Sequence, residues 1–575
     1  VPATVPATVP ATRTTAGAAA DGLNAESTGA SGKDGNDGND DILGQPSTAN
    51  RRFRTTVDVL LGVVICFLLA GGPVPDVNEA HYLAKAKHYW QPEWCQGDIF
   101  LESDDTHLVF YWSLGWVAAC FPLTVAAWIL RVATWAFLAW AMSRLVQTVS
   151  PGLFRGAWAL GLFTWFMLNF HMAGEWVVGG AEAKGVAYGL VLLALSAICR
   201  NNWNAAWCLL GGASAFHVLV GGWSVLAMAI AWLCAGRSRT PLRRMVIGLG
   251  AGGMIALLGV VPALSTSSAA EVSPEISAQA HQIYVYTRLP HHLVIHRFQF
   301  HFWIRMSSLA IVVGCLFWPL RRNNSMRRLG GFTLGAAGIA MAGLSIDQSL
   351  LTDLDRAAEF LRFYWYRLAD FAIPLMATIV ILVWHQRLTE SRPRASMLLL
   401  LLAVWGPIAW WGTHRPSVVM RRIPGADQQT LLHGLQDEDL GTARYLAWQE
   451  CCKWVRESTD EGAVFITPRT QQTFKFYAQR AEVANWKDIP QDAKNIVEWR
   501  NRFVQLYPPK VGSGGLVRHS DARLTRLARR YNAQYIVVRK RSHTRRLDPK
   551  RFRQIYPIGE ESNQHFQVFE VKAAP

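Results

Sequence analysis

Residues 201–236 read NNWNAAWCLLGGASAFHVLVGGWSVLAMAIAWLCAG, 36 consecutive positions without a single Asp, Glu, Lys or Arg. Runs of about 18 or more such residues mark membrane-spanning helices, because in hydrocarbon only a helix satisfies its own backbone. Comparable uncharged runs occupy 156–174, 245–270, 329–346 and 395–413. Over 575 residues the chain is 51% hydrophobic and 17% charged. Soluble domains carry about 25% charge, so disorder, coiled coil and an ordinary cytosolic enzyme are excluded. The expectation is a polytopic α-helical membrane protein of about 11–13 transmembrane helices. The stretch 201–236, interrupted by Gly211-Gly212 and Gly221-Gly222, predicts a hairpin or a re-entrant pair, and 106–143 one long or two short helices.

The charged residues set the topology. Residues 1–50 open with VPATVPATVPAT and continue through GASGKDGNDGNDD, too polar to offset the entropy of ordering, which predicts a disordered tail. Arg51, Arg52 and Arg54 precede the first apolar run, so the tail is expected in the cytoplasm. Later basic residues fall in alternate connections: Arg237, Arg239, Arg243 and Arg244; Arg321, Arg322, Arg327 and Arg328; Arg387, Arg392 and Arg394. Within a transmembrane region of 51–413, outer loops then lie at about 75–105, 265–301 and 347–366. Residues 414–575 would form a basic, extracytoplasmic α/β domain of a cell (inner) membrane protein. Helices are predicted at 442–458, 471–480, 493–507 and 522–531, and strands at 463–467, 534–539 and 566–571. From 415 onward, 28 basic residues face 17 acidic ones, so most of the net charge of +16 belongs to this region. An extracytoplasmic position, and arginines (Arg518, Arg523, Arg526, Arg529, Arg530) without a recognition motif, argue against nucleic acid and for membrane lipids or acidic glycans as partners.

The first outer loop, PVPDVNEAHYLAKAKHYWQPEWCQGDIFLESDDTH (73–107), is rich in carboxylates. Asp76 and Glu79, three apart, could share one helical face beside Tyr82 and act as a general base or hold a divalent metal ion through oxygen. The alternative is a solvated acidic loop.

PDVNEAHYLAKA followed by THLVFYWSLGWVAACFPLTVAAWILRVATWAFLAWAMSRLV resembles the opening of the GT-C superfamily, membrane glycosyltransferases that use sugars carried on a polyprenyl phosphate. The resemblance puts Glu79 on the second acid of the family's acidic pair, Tyr82 on its aromatic and Arg131 on the third-span arginine. Asn78 stands where the first acid is usual, and Thr106-His107-Leu108 replaces the His-Pro-Pro lead into the second span. If the first acid is the family's base, either Glu79 or Asp76 has taken the role or transferase activity is absent. The soluble region also resembles a C-terminal domain of unknown function found on bacterial multispan proteins.

Three further constellations stand out. HQIYVYTRLPHHLVIHRFQFHFW (281–303) holds five of the 16 histidines. His292 and His296, four apart, could ligate a metal from one helical turn, while Arg288, His291, His292 and Arg297 could meet a phosphate or glycan; interfacial packing is the alternative. GEWVVGGAEAKGVAYG (174–189) places Glu175, Glu182 and Lys184 among apolar residues, where charges face a cavity or each other unless they reach water at the interface. Two apart, Glu182 and Lys184 share no helix face, which predicts a loop, a re-entrant turn or separate partners. In TDLDRAAEFLRFYWYRLADFAIPL (352–375), Arg362 and Arg367 could grip a phosphate or serve as snorkelling anchors. Lys475, Arg480, Trp486 and Lys487 could form a recognition patch on the soluble domain, or pack.

The resulting expectation is a GT-C-like glycosyltransferase moving a sugar from a polyprenyl-phosphate donor to an extracytoplasmic acceptor. Its rivals are a non-catalytic GT-C-like scaffold that binds a glycan or partner through its C-terminal domain, and a transporter.

Overall fold

The computed structural model describes residues 48–267, 272–422, 438–508, 515–540, 545–558 and 563–572. The tail at 1–47 lies outside them. The first helices are α1 (Thr48–Ala70), α2 (Glu79–Trp90), α3 (Leu108–Leu114), α4 (Trp116–Cys120), α5 (Leu123–Val149), α6 (Arg155–Asn169), α7 (Ala183–Cys199), α8 (Trp203–Phe216) and α9 (Val218–Cys234). There follow α10 (Val246–Ser267), α11 (Pro274–Gln282), α12 (Pro290–Leu293), α13 (Phe300–Phe317), α14 (Asn324–Ser349), α15 (Leu354–Leu361), α16 (Arg367–Ser391) and α17 (Pro393–Arg422). In the C-terminal region lie α18 (Glu438–Ser458), α19 (Phe474–Ala478), α20 (Ala493–Leu506) and α21 (Asp521–Arg530).

The chain is a polytopic helical membrane protein. Among the described residues seven helices are long and apolar enough to cross a bilayer (α1, α5, α10, α13, α14, α16, α17), or eight if α9 and the bent segment after it count as one. The lower number than expected has a physical source. Helices α6, α7, α8 and α9 are apolar but only 14–17 residues long, short of the about 20 that span hydrocarbon. Of the most apolar 18 residues of each helix, 83% are buried in α16 but only 11% in α17, which exposes Met397, Leu402 and Trp405.

In 201–236 the chain breaks at His217, whose backbone is extended between α8 and α9, and not at the glycine pairs. Those glycines are contact points. A Cβ on Gly211 would stand 2.1 Å from the carbonyl oxygen of Gly252, and one on Gly252 would stand 2.4 Å from that of Trp207. Small residues thus let α8 and α10 meet backbone to backbone. Asp58, fully buried in α1, accepts from Ser143 Oγ (2.7 Å) and from the N–H groups of Gly156 and Ala157 (3.1 and 3.2 Å), tying α1 to α5 and to the start of α6.

The C-terminal region carries a five-stranded mixed sheet in the order β2-β1-β3-β5-β4, with β1 (Val464–Ile466), β2 (Ala481–Glu482), β3 (Tyr535–Arg539), β4 (Phe552–Tyr556) and β5 (Phe566–Val571). β1 runs parallel to β2 and β3; β3–β5 and β5–β4 are antiparallel. The sequence did not announce β2, two residues long, or β4, whose FRQIY lacks clean alternation. One core of this domain takes in Cys95, Ile99, Phe100 and Leu101 of the 73–107 loop and Ala280 and Ile283 around α11. The sheet is therefore built onto the 73–107 loop and the segment around α11.

Candidate functional site

Glu79 opens α2 and is fully buried. Its Oε1 accepts from Arg131 Nε (2.8 Å) and Ala181 N (2.9 Å), and its Oε2 from Arg131 Nη2 (2.6 Å) and Asp76 N (2.9 Å). Four short donors fill the carboxylate. Arg131 also donates to the carbonyls of Gly72 and Pro73, so the pair clamps the loop to α5. Asp76 accepts from Val77 N (2.6 Å) and Gly180 N (3.0 Å). Both expected catalytic acids are thus committed to holding the first loop against 179–182.

A second set of charges lies beside them. Asp370 of α16 gathers the backbone N–H groups of Met172, Ala173 and Glu175, and Gly174 turns with φ +71, which folds 170–182 back onto the bundle. Glu175, at 0% side-chain exposure, stands 3.0 Å from Lys184 Nζ and 3.0 Å from Arg367 Nε. Lys184 reaches Glu182 at 3.4 Å and lies 3.7 Å from the Trp176 ring. Glu182 and Lys184 do meet, because Glu182 belongs to the loop and Lys184 to the first turn of α7. Asn78 Nδ2 lies 3.2 Å from each Glu182 oxygen, and Trp176 Nε1 3.2 Å from Oε1. The first loop, the 174–184 stretch and the start of α16 therefore converge. Arg367 rests 3.6 Å from the Tyr364 ring, and its Nη groups have no hydrogen-bond partner among the described residues. Close by, Tyr82 Oη contacts His107 Nε2 at 3.1 Å; burial holds His107 down to about 4, which keeps it neutral.

The histidine-rich segment does other work. Arg288, read as a substrate contact, donates to the carbonyls of Trp486 (2.8 Å) and Lys487 (3.4 Å) and so docks the C-terminal domain. His292 Nδ1 lies 2.5 Å from the carbonyl oxygen of Ala173. His296 is half exposed, 3.8 Å from Asp347. An extended Val294 separates α12 from the 3-10 turn carrying His296, so His292 and His296 do not share one helical turn. Among the described residues no group of three or more His, Cys, Asp or Glu could hold a metal ion. With Asp76 and Glu79 occupied as above, the side chains do not fit a divalent cation. His291 and Arg297 are exposed, and Arg362 Nη1 donates to His281 Nε2 (2.7 Å).

What the sequence did not single out is the seat of the C-terminal domain. Lys475 Nζ lies 3.1 Å from Asp98 of the first loop, 2.8 Å from Glu482 and 2.7 Å from Asp488, all buried. His81 Nδ1 faces Asp488 at 3.2 Å. Lys475 and His81 hold the Asp488 carboxyl well below its usual range despite burial, while burial raises Glu482. Gln472 and Tyr477 donate to the carbonyls of Val77 and Val74. Of the expected patch, Lys475 is in this network, Arg480 bonds backbone carbonyls (Arg456, Thr459, Gln479), and Trp486 packs on Trp499 and Phe503. Lys487 differs. It is half-buried, its ammonium has no partner among the described residues, and its surroundings include Arg288, Glu182, Asp488 and Lys184. Burial and Arg288 lower it to about 7.

Residues 447–506 match a domain of unknown function, DUF6798. No curated protein matches the chain. Among solved structures the chain is similar to the crystal structure of ArnT from Cupriavidus metallidurans bound to undecaprenyl phosphate, at 13% identity and a TM-score of 0.48, over 92% of this chain and 99% of that one. It is also similar to the archaeal oligosaccharyltransferase AglB from Archaeoglobus fulgidus in complex with an inhibitory peptide and a dolichol-phosphate. There the identity is 10% and the TM-score 0.43, over 86% of this chain and 70% of that one.

Proposed function

We propose that this chain is a GT-C-like membrane glycosyltransferase that moves a sugar from a polyprenyl-phosphate donor to an extracytoplasmic acceptor. The observation that carries the reading is the convergence of Asn78, Glu175, Glu182, Lys184 and Arg367, from three outer segments, on one group of charges. The Arg367 fork has its Nη donors unspent, and the partnerless amine of Lys487 lies within electrostatic reach of Glu182 and Lys184 of that group. Departure of a polyprenyl phosphate develops negative charge on the phosphate, which prepositioned cations stabilise. Arg367 would take two phosphate oxygens through its planar fork and Lys487 a third as a point charge. Glu175, fixed between Arg367 and Lys184, would hold both cations in place. No step is assigned to a metal ion.

Sidedness follows the arginines. The segment after α9 meets the start of α14, with Arg327 and Arg328 bonding Ala235 and Ser238. At the other end of α14, Asp347 accepts from Ile295 N of the expected outer segment. By the charge rule the start of α1 would face the cytoplasm and the α/β domain would lie outside the inner membrane.

The test uses the full chain in proteoliposomes carrying radiolabelled undecaprenyl-phosphate hexoses, with an envelope extract as acceptor. Release of undecaprenyl phosphate is expected, and Lys487→Gln should slow it at least tenfold. No release with any hexose donor would contradict the reading.

A further inference from the structure

Position 78, where the GT-C resemblance calls for an acid, is an asparagine, and its amide is aimed at a carboxylate supplied from another loop. We propose that Glu182, oriented by Asn78, is the base that accepts the proton of an acceptor hydroxyl. The inference rests on the glycosyltransferase reading and names the group that would activate the acceptor.

The four carboxylates of the site differ in how much of each is already spent. Glu79 receives four donors at 2.6–2.9 Å and cannot take a proton without breaking the clamp on Arg131. Asp76 receives the backbone N–H groups of Val77 and Gly180, which fix the loop itself. Glu175 accepts no hydrogen bond among the described residues, but it is wedged between two cations, each 3.0 Å away, and serves as their shared counter-charge. Glu182 has only long contacts: 3.2 Å to Asn78 from each oxygen, 3.2 Å to Trp176 and 3.4 Å to Lys184. A proton arriving at Glu182 displaces the weakest of these bonds.

Its place in the chain supports the same role. Glu182 is the residue before α7, where a carboxylate ordinarily accepts from the first turn of its own helix. It makes no such cap bond and instead turns toward Asn78 and Trp176. Asn78 is then a positioning residue. Its NH2 can donate to Glu182, whereas an aspartate there would set two negative charges about 3 Å apart.

The step balances. The acceptor O–H bond breaks, its proton passes to a Glu182 oxygen, and the acceptor oxygen forms a bond to the anomeric carbon. The bond between that carbon and the phosphate oxygen breaks, and its electron pair leaves on the polyprenyl phosphate beside Arg367 and Lys487.

The experiment compares wild type, Glu182→Gln and Asn78→Asp in the same proteoliposome assay across pH 5 to 9. Glu182→Gln should lose about 100-fold or more in kcat at unchanged KM. Asn78→Asp should move the acid limb of the kcat/KM profile to higher pH, since two adjacent carboxylates share a proton. If Glu182→Gln does not fold, the Asn78→Asp profile decides alone. An active wild type with Glu182→Gln within threefold of it, or with a superimposable Asn78→Asp profile, overturns the base assignment and leaves the transferase reading standing. An inactive wild type removes that reading itself.

Discussion

Arg131 and Glu79 form a fully buried bidentate pair, Nε to Oε1 at 2.8 Å and Nη2 to Oε2 at 2.6 Å, between α5 and the first turn of α2. Removing one partner of such a pair strands a charge in a low-dielectric interior, at a cost of about 3–5 kcal/mol. Glu79→Gln and Arg131→Met should each lower the thermal unfolding midpoint of the purified protein, and the double change Glu79→Met with Arg131→Met should cost less than the sum. A Glu79→Gln protein with wild-type stability would make Glu79 something other than a structural clamp.

The seat of the C-terminal domain rests on Lys475, which faces Asp98, Glu482 and Asp488 at 2.7–3.1 Å. Lys475→Met leaves three buried carboxylates facing one another. Hydrogen exchange should speed up at 95–105 and at 481–492 together, while exchange in α16 stays slow. Loss of protection at 481–492 alone would mean that the loop and the domain are not coupled.

Lys487 gives a pH signature whose sign is determined. Its folded value of about 7 lies below the unfolded lysine value of about 10.4. Between these values the unfolded chain holds more protons, so stability rises with pH across that window, and the penalty for the half-buried ammonium is fully present below pH 7. An anion reverses the preference and favours the ammonium. Undecaprenyl phosphate binding at pH 8 should therefore take up a proton, read from calorimetry in buffers of different ionisation enthalpy. Lys487→Arg should abolish the uptake.

At the α8–α10 contact, Gly252→Leu has no room, since even a Cβ meets the Trp207 carbonyl oxygen at 2.4 Å. Gly250→Ala points into open space. The first should prevent recovery of folded protein from membranes and the second should not, as judged by monodisperse size-exclusion profiles.

The membrane class was legible because charge-free runs admit few other structures, and 566–571 was read as a strand to the residue. That the 174–184 charges and Arg367 need partners was legible too, because charge among apolar residues is costly. Their partners were not. Glu79 meets Arg131 across 52 positions, and the backbone N–H of Glu482 donates to Asp98 across 384. Spacing rules, which see one helical turn at a time, cannot register either. The same locality made His292 and His296 look like a metal pair, where one extended residue, Val294, separates them. Asn78 was legible as a departure; what it faces was not.

The most direct test of the central claim is a cryo-electron microscopy structure of the full chain with undecaprenyl phosphate. The account predicts the phosphate within hydrogen-bond distance of the Arg367 guanidinium and the Lys487 ammonium, with Glu182 facing the position the anomeric carbon would take. A phosphate bound out of reach of both cations would contradict it.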